Sequence, residues 1–177
     1  MGKSIGSRAT SSGSRRGCKL MHEGWRIRRA IVADADELAR LSGVLGYGGE
    51  ADSMGERLAQ LLATADHLIA VAVAADDPES ARGGWVHVAR HVALETAPFA
   101  EILGLVVDRP VRRAGIGRAL IAEAEHWARA HRLQRLTVRS NVVRRESHQF
   151  YPALGFEHTK SQHVYSKPLA ADAGAVA

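Results

Sequence analysis

The chain of 177 residues is 46% hydrophobic and 24% charged, which suffices for the core of one domain and is too little for two of ordinary size. No apolar run reaches the roughly 20 residues that span a bilayer, and the N-terminus lacks the apolar core of a secretory signal, so we expect a cytoplasmic protein without a membrane partner. The single cysteine, Cys18, excludes an intrachain disulfide and leaves no second thiol for a structural zinc site, so we expect no metal.

The net charge of +5 is concentrated at the N-terminus. Residues 1–24 hold five basic residues and one acid, whereas the remaining 153 residues hold 19 basic and 18 acidic groups. This leader is rich in Gly and Ser and cannot bury enough apolar surface to order itself. We therefore interpret residues 1–24 as a disordered leader and expect no nucleic-acid partner, with an arm for an anionic partner as the alternative. Met21 could be a second start.

The first predicted elements after the leader are a strand and two helices. The segment "WRIRRAI" alternates as a strand does. Asp34 and Glu37 have the spacing of a capping box, which predicts a helix through about Leu45. The Gly-rich "GYGGEADS" predicts a flexible break, and Ser53 with Glu56 repeats the capping-box spacing before a short amphipathic helix.

Three strands are predicted next, at residues 67–74, 84–92 and 100–108. The third leads through a turn into a strongly helical run. After that helix come a strand at 135–140, a helix-like "RRESHQFYPAL" ended by Gly155, and a last strand, "KSQHVYSKP". Strands outnumber helices in this order of elements, which predicts an α/β (α+β) fold.

The stretch "VVDRPVRRAGIGRAL" (106–120) indicates a site for a phosphate. Gly115 and Gly117 let the backbone pass close to a bulky group, and the first N–H groups of the following helix are unpaired donors. The helix dipole favours an anion there, and more positive charge comes from Arg112, Arg113 and Arg118. The alternative is a core helix whose glycines only relieve a tight turn; its buried face would be Ile116, Leu120, Ala124 and Trp127.

Two other classes of phosphate-binding motif are excluded by particular residues of the sequence. A dinucleotide fold would need a third glycine where Leu120 stands and an acid near the end of the next strand, which "RLTVRSN" lacks. A nucleoside-triphosphate loop would need Gly-Lys-Ser/Thr, and the chain has Gly117-Arg118-Ala119.

The string "RRAGIG" (112–117) resembles the Arg/Gln-x-x-Gly-x-Gly/Ala signature of the GCN5-related N-acetyltransferase (GNAT) superfamily. Asn141 and "FYPALGF" (150–156) are similar to the family's downstream Asn and Phe/Leu-Tyr-x-x-x-Gly-Phe patterns. The resemblance implies an acetyl-CoA-dependent N-acetyltransferase with the GNAT fold. That fold is a mixed, mostly antiparallel twisted sheet of about six to seven strands flanked by about four helices, and its fourth and fifth strands splay apart into a cleft. It covers a domain at 25–169, which leaves 170–177 as a flexible tail.

The resemblance also implies which residues bind the coenzyme. The loop and helix start would hold the pyrophosphate of acetyl-CoA, and the splayed fourth strand would pair with the pantetheine arm. The residues so implied are Leu105, Val106, Val107, Arg112, Arg113, Ala114, Gly115, Ile116, Gly117, Arg118 and Asn141. A backbone N–H near Val107 would polarise the thioester carbonyl, although the apolar side chains of this strand could equally be core alone.

The implied reaction is direct attack by a primary amine, without a covalent intermediate, and it needs a base because alkyl amines are mostly protonated at neutral pH. Glu101 is the candidate. Strand alternation predicts that it shares a face with Leu103 and Leu105, and it is a base only if that face opens to the acceptor. Otherwise it is an ordinary strand-end carboxylate. His87 and His91 share a face and could substitute.

The resemblance makes the hydroxyl of Tyr151 the proton donor to the departing thiolate. Pro152 follows it, so we expect the helix to kink or tighten there, and the ring could instead be packing alone.

The acceptor is the least determined feature. Acids such as Glu50, Asp52 and Glu95 could attract a cationic amine, for example an aminoglycoside or polyamine, or could merely keep the surface polar. The sequence thus leaves open a small-molecule or peptide amine, and it allows a homodimer. A non-catalytic acyl-CoA-binding module on the same fold stays the alternative function.

Overall fold

The computed structural model describes residues 21–22, 24–44, 51–77 and 82–169. The predicted leader up to Leu20, the Gly-rich break at 46–50 with Glu50, and the predicted tail at 170–177 lie outside these residues. The chain divides into two compact units between Arg139 and Ser140. No helix in the described ranges is long and apolar enough to cross a membrane.

The first unit is built on a six-stranded sheet whose strands follow chain order. They are β1 (Met21–His22), β2 (Trp25–Arg29), β3 (His67–Ala74), β4 (Gly84–His91), β5 (Phe99–Val107) and β6 (Leu136–Val138). Every neighbouring pair is antiparallel except β5 and β6, which are parallel. The predicted mixed, mostly antiparallel sheet is therefore confirmed.

The described residues contain four α-helices, in agreement with the prediction of about four: α1 (Ala35–Val44), α2 (Ala51–Leu62), α3 (Ile116–Ala130) and, in the second unit, α4 (Arg145–Phe150). On one face of the sheet, which we call face A, Ile69, Val71 and Val73 of β3 form a core with α1 and α2 through residues such as Leu38 and Leu58. This apolar burial is the main force that holds the two helices on the sheet.

Helix α3 covers the opposite face. Its predicted stripe of Ile116, Leu120, Ala124 and Trp127 is buried as the spacing indicated. At Gly84 of β4 an added Cβ would lie 3.4 Å from Ile116 Cγ2, so the start of α3 sits directly against the sheet. The helix that follows the Gly-rich turn is thereby fixed in place by its core face.

The predicted capping box of Asp34 and Glu37 is wrong. Asp34 is only 1% exposed, and its carboxylate accepts hydrogen bonds at 2.7–2.8 Å from Arg28, Arg82 and the Ile31 N–H. Burial raises the pKa of this carboxyl, but the hydrogen bonds outweigh burial and hold the pKa at about 2. The two carboxylates serve tertiary partners instead, since Glu37 accepts the backbone N–H of Arg82 at 2.9 Å.

The second amphipathic helix is confirmed, but it begins earlier than predicted. Helix α2 starts at Ala51, so Ser53 lies inside it and its hydroxyl accepts a hydrogen bond from Arg57. The spacing of a capping box does not by itself establish a helix start, because the same side chain can bond within the helix.

In the second unit, α4 is followed by a 3-10 turn at Pro152–Leu154 that ends at Gly155, whose φ of +84° is left-handed. The tightening expected at Pro152 is confirmed. The predicted last strand at 160–168 is wrong, because residues 157–169 hold neither helix nor strand. Alternation predicts a strand only where a neighbouring strand supplies backbone partners, and a local pattern does not report that.

Candidate active site

Strand β5 changes its neighbours halfway along. It pairs with β4 over its whole length but with β6 only from Ala100 to Ile102. Leu103 has no partner in the β4 register, because His87 pairs with Gly104 and the next pair joins Val88 and Ile102. Leu103 is therefore a β-bulge, which twists and bends a strand. Beyond it no described strand pairs with β5 on the β6 side, so β5 has a free edge there, as the splayed cleft requires.

The bulge depends on a close approach that only glycine permits. An added Cβ on Gly104 would lie 2.6 Å from two ring atoms of Trp85, which is too close for any side chain. The indole of Trp85 packs against the α1 and α2 core on face A. The residue that follows the bulge therefore lies against a side chain that is itself packed on face A.

The backbone groups at the free edge can be assigned from alternation. The N–H of Asp108 donates to Gly83, so it points to the β4 side. Successive residues of a strand point their N–H and C=O groups to opposite sides. Leu105 and Val107 therefore present theirs to the free edge, where the Val107 carbonyl accepts from Arg112 Nε at 3.4 Å. The backbone of Val106 faces β4 instead.

The turn after β5 leads into a cradle of backbone amides. Asp108 accepts the N–H of Arg109 and starts a 3-10 turn at Arg109–Val111. Arg113 and Gly115 then take left-handed φ values of +67° and +73°, and Gly115 is the N-cap of α3. These angles turn the chain so that the free N–H groups of the first helical turn point outward. The predicted order of strand, turn and helix start is confirmed, and the left-handed Gly115 is a detail that the structure adds.

The charge of the cradle is also as expected. Arg112, Arg113 and Arg118 are exposed, whereas Ala114, Gly115 and Gly117 are half-buried and Ile116 is buried beneath them. Mobile cations around outward N–H groups at a helix start form an anion site. Arg40 connects α1 to the start of the turn that leads into the cradle. It donates a hydrogen bond to Asp108 at 2.8 Å and another to Glu37. The assignment of these residues to a coenzyme stays a prediction.

Glu101 lies on β5 before the bulge and is only 2% exposed. Its Oε1 is 3.1 Å from Arg139 Nε, and its Oε2 is 3.1 Å from His91 Nε2. Phe99 stacks on the His91 ring with centroids 5.2 Å apart, and the guanidinium of Arg135 lies over Phe99. We call these residues, Glu101, His91, Arg139 and Phe99, the carboxylate cluster.

The prediction that Glu101 shares a face with Leu103 and Leu105 is wrong, because the bulge lies between them. Glu101 pairs with Ala89, Gly104 with His87 and Val106 with Trp85, which places these β5 residues together on face A. Leu105 lies on the opposite face and Leu103 is the bulge residue, 50% exposed. One extra residue reverses the alternation, and no sequence period reports it.

The two candidate histidines share face A, as predicted, and have different surroundings. His87 Nε2 is 3.0 Å from His67 Nδ1, and burial lowers the pKa of His87 to about 4, with the charge of His67 acting in the same direction. A ring held neutral and engaged with a second histidine is a weak base. His91 instead contacts the candidate carboxylate.

Asn141 and Tyr151 belong to the second unit. Asn141 is exposed, and its side-chain oxygen accepts the Val143 N–H at 3.1 Å. The Tyr151 ring meets Phe150 and Phe156 edge-on, with centroids 5.2 and 5.4 Å away. Burial raises the pKa of the Tyr151 phenol, which Arg144 partly opposes, so the hydroxyl keeps its proton at neutral pH.

Sequence reasoning missed Arg139, the bulge at Leu103 and the contact between His91 and Glu101. The pairing of β6 with β5 brings Arg139 to the carboxylate, and the only available signal was its place at the end of the strand that follows α3. No group of three or more His, Cys, Asp or Glu residues that could hold a metal ion occurs in the part of the chain that the structure describes.

Comparison with known proteins agrees with this architecture. The sequence model of the acetyltransferase (GNAT) family matches residues 36–156. An aminoglycoside N(6')-acetyltransferase type 1 from Stenotrophomonas maltophilia is 33% identical over 147 residues, which cover 81% of this chain and 93% of the relative.

Two solved structures share the fold at lower identity. The aminoglycoside 6'-N-acetyltransferase AAC(6')-Ih from Acinetobacter baumannii has a TM-score of 0.73 and 21% identity, with 83% of this chain and 100% of that chain covered. AAC(6')-Iy in complex with the bisubstrate analogue CoA-S-monomethyl-acetylneamine has a TM-score of 0.72 and 20% identity, with 82% and 99% covered.

Proposed function

Because the chain belongs to the acetyltransferase (GNAT) family and is an N-acetyltransferase that uses acetyl-CoA as cosubstrate, we propose that it acetylates the 6'-amino group of an aminoglycoside. The acceptor is a small-molecule amine, and the aminoglycoside is the narrower proposal. It is carried by one observation, the 33% identity to an aminoglycoside N(6')-acetyltransferase along 93% of that relative's length. The same likeness argues against a non-catalytic acyl-CoA-binding module.

The coenzyme is proposed to lie along the free edge of β5 and in the cradle. The outward backbone groups of Leu105 and Val107 can pair with the amide groups of the pantetheine arm as a strand would. The N–H groups from Arg113 to Arg118 can hold the pyrophosphate, with Arg112 as a cation beside them. Asn141 is included only on the strength of its motif.

The proposed reaction is direct transfer within a ternary complex. The amine loses a proton, attacks the thioester carbonyl and expels the coenzyme A thiolate. Outward N–H groups near Leu105 and Val107 can stabilise the oxygen as negative charge develops on it. Glu101 is the proposed base, acting through water because it is buried, and Tyr151 is the proposed acid for the thiolate. A cytoplasmic location and a homodimer stay predictions.

A paired substrate tests the proposed acceptor. Neamine carries an amine at the 6' position and paromamine carries a hydroxyl there, with the rest of the molecule the same. Purified protein with acetyl-CoA should release thiol with neamine and much less with paromamine, and mass spectrometry should find a single acetyl group at the 6' nitrogen.

The outcomes separate the alternatives. Equal rates with both compounds would place the acetyl group on another amine and refute the 6' assignment. Turnover with peptides or polyamines and with neither aminoglycoside would refute the acceptor class while leaving the acetyltransferase activity intact.

A further inference from the structure

The proposed base has no direct route for releasing a proton. The Glu101 side chain is 3% exposed, so bulk water reaches almost none of it. A base that takes a proton in each cycle must lose that proton before the next one. If Glu101 has the role given under the proposed function, on which this inference rests, a neighbouring group has to carry the proton out.

Within the described part of the chain, only Oε2 of Glu101 has a neighbour that can carry the proton out. Oε1 lies 3.1 Å from Arg139 Nε, and a guanidinium stays charged and accepts no proton. Oε2 lies 3.1 Å from His91 Nε2, and neither of these two buried atoms has a hydrogen bond within the described residues, so their own contact does not form one either. A buried acceptor without a hydrogen bond is costly. A proton held between these two atoms would supply the hydrogen bond that each of them lacks.

The His91 side chain reaches from this buried contact to solvent. Its Nε2 is buried, whereas the side chain as a whole is 38% exposed, so another part of the side chain meets water. Phe99 stacks on the ring at an interplanar angle of 13°. His87, on the same face, is not arranged in this way, because its ring is engaged with His67.

We infer that His91 is the proton exit of the enzyme and acts on the reaction through Glu101. The amine N–H bond breaks, through water, as an O–H bond forms on Glu101 Oε2. That O–H bond then breaks as an N–H bond forms on His91 Nε2, since imidazole is ordinarily a stronger base than a carboxylate. The imidazolium then turns its Nε2 toward water, the Nε2–H bond breaks as the proton passes to a water molecule, and the ring returns with Nε2 free. Glu101 ends as a carboxylate and His91 as a neutral ring.

Rescue by a small base tests the inference. His91→Ala leaves room beside Glu101, and kcat/KM for neamine should fall roughly 10-fold or more, since proton transfer typically contributes 10²-fold or more. Added imidazole, at constant pH and ionic strength, should restore much of the lost rate in His91→Ala and leave the parent protein unaffected. His87→Gln is the matched control on the same strand and face, and it should be insensitive to imidazole. Calorimetric titration with coenzyme A should give equal affinities for all of these proteins.

The outcomes distinguish a failure of this inference from a failure of the proposed function on which it rests. A His91→Ala protein that binds coenzyme A normally and either keeps the parental rate or loses rate without rescue overturns the proton exit. Rescue of His87→Gln would transfer the role to that residue and equally overturn it. Glu101→Gln should be inactive and resist rescue; if it keeps the parental rate, the base assignment itself fails.

Discussion

The two ends of β5 serve the reaction in different ways. The carboxyl end, with the turn and the start of α3, presents backbone groups from one contiguous stretch, residues 105–118. The amino end presents the carboxylate cluster, whose members come from β4, β5 and the end of β6. A backbone cradle depends on chain geometry, whereas the cluster depends on particular side chains.

This difference indicates how each region can be damaged. A side chain added where the cradle needs none should weaken coenzyme binding, while shape-preserving exchanges of its polar side chains should cost little. In the cluster, an exchange that keeps the shape and removes only a charge should abolish the chemistry and leave the coenzyme bound. The five predictions below test this division, from the largest expected effect to the smallest.

Glu101→Gln should have the largest effect on turnover. The amide keeps the size of the side chain but cannot take a proton from the amine, so kcat/KM for neamine should fall by roughly 10²- to 10⁴-fold. Coenzyme A affinity by calorimetry should match the parent, because the cradle is untouched. A similar loss in both measurements would mean that the two ends of β5 do not function separately.

Tyr151→Phe removes one oxygen from the second unit and retains the ring contacts with Phe150 and Phe156. If the phenol protonates the thiolate, kcat should fall by roughly 10²-fold with coenzyme A affinity near that of the parent. The parental rate in this variant would identify Tyr151 as a packing residue and leave protonation of the thiolate to water.

The same division explains what the sequence could predict. The cradle was predictable because glycines, a helix start and arginines within a dozen residues act locally, and the structure has the helix start at Ile116 directly after Gly115. Which residues of β5 share a face was not predictable, because one inserted residue, Leu103, reverses the alternation. The partners of Glu101 come from strands whose pairing is a tertiary property, and the end strand at 160–168 failed for the same reason.

His87 should make the protein less stable as the pH falls from about 6.5 to 4. Its folded pKa of about 4 lies below the ordinary value of 6.5, so the unfolded chain binds more protons in that range and unfolding becomes favoured. The stabilisation is fully present above pH 6.5, and the loss is up to about 3 kcal/mol at 1.36 kcal/mol per pKa unit. Thermal melts of the parent should drop across this range.

The control is His87→Gln, whose melting temperature should change less between pH 6.5 and 4. The loss due to Asp34 falls at lower pH, since its folded pKa is about 2. If parent and variant follow the same pH dependence, the titration of His87 is not the cause of the loss of stability.

Gly117→Val should weaken coenzyme A binding by roughly 10-fold, because a branched side chain crowds the first turn of α3 where the backbone must approach the phosphates. Gly117→Ala, with a smaller addition, should give an intermediate loss. Calorimetry measures both affinities, and thermal melts check that the helix still forms. Affinities equal to that of the parent would mean that the phosphates do not bind at this part of the cradle.

Arg112→Ala should have the smallest effect, a weakening of coenzyme A binding by roughly 3- to 5-fold at low salt, in the range of an exposed charge contact. Arg113 and Arg118 remain at the same helix start, and the backbone amides are unchanged. Because salt screens exposed charges, the difference between variant and parent should shrink as ionic strength rises, whereas the loss in Gly117→Val should persist. Arg129→Ala is the control, since Arg129 is an exposed arginine at the opposite end of α3, paired with Glu125. Calorimetric titrations at two ionic strengths measure all three. If Arg112→Ala costs as much as Gly117→Val and salt does not reduce the difference, the cradle depends on a particular side chain after all, and the division between the two ends of β5 fails.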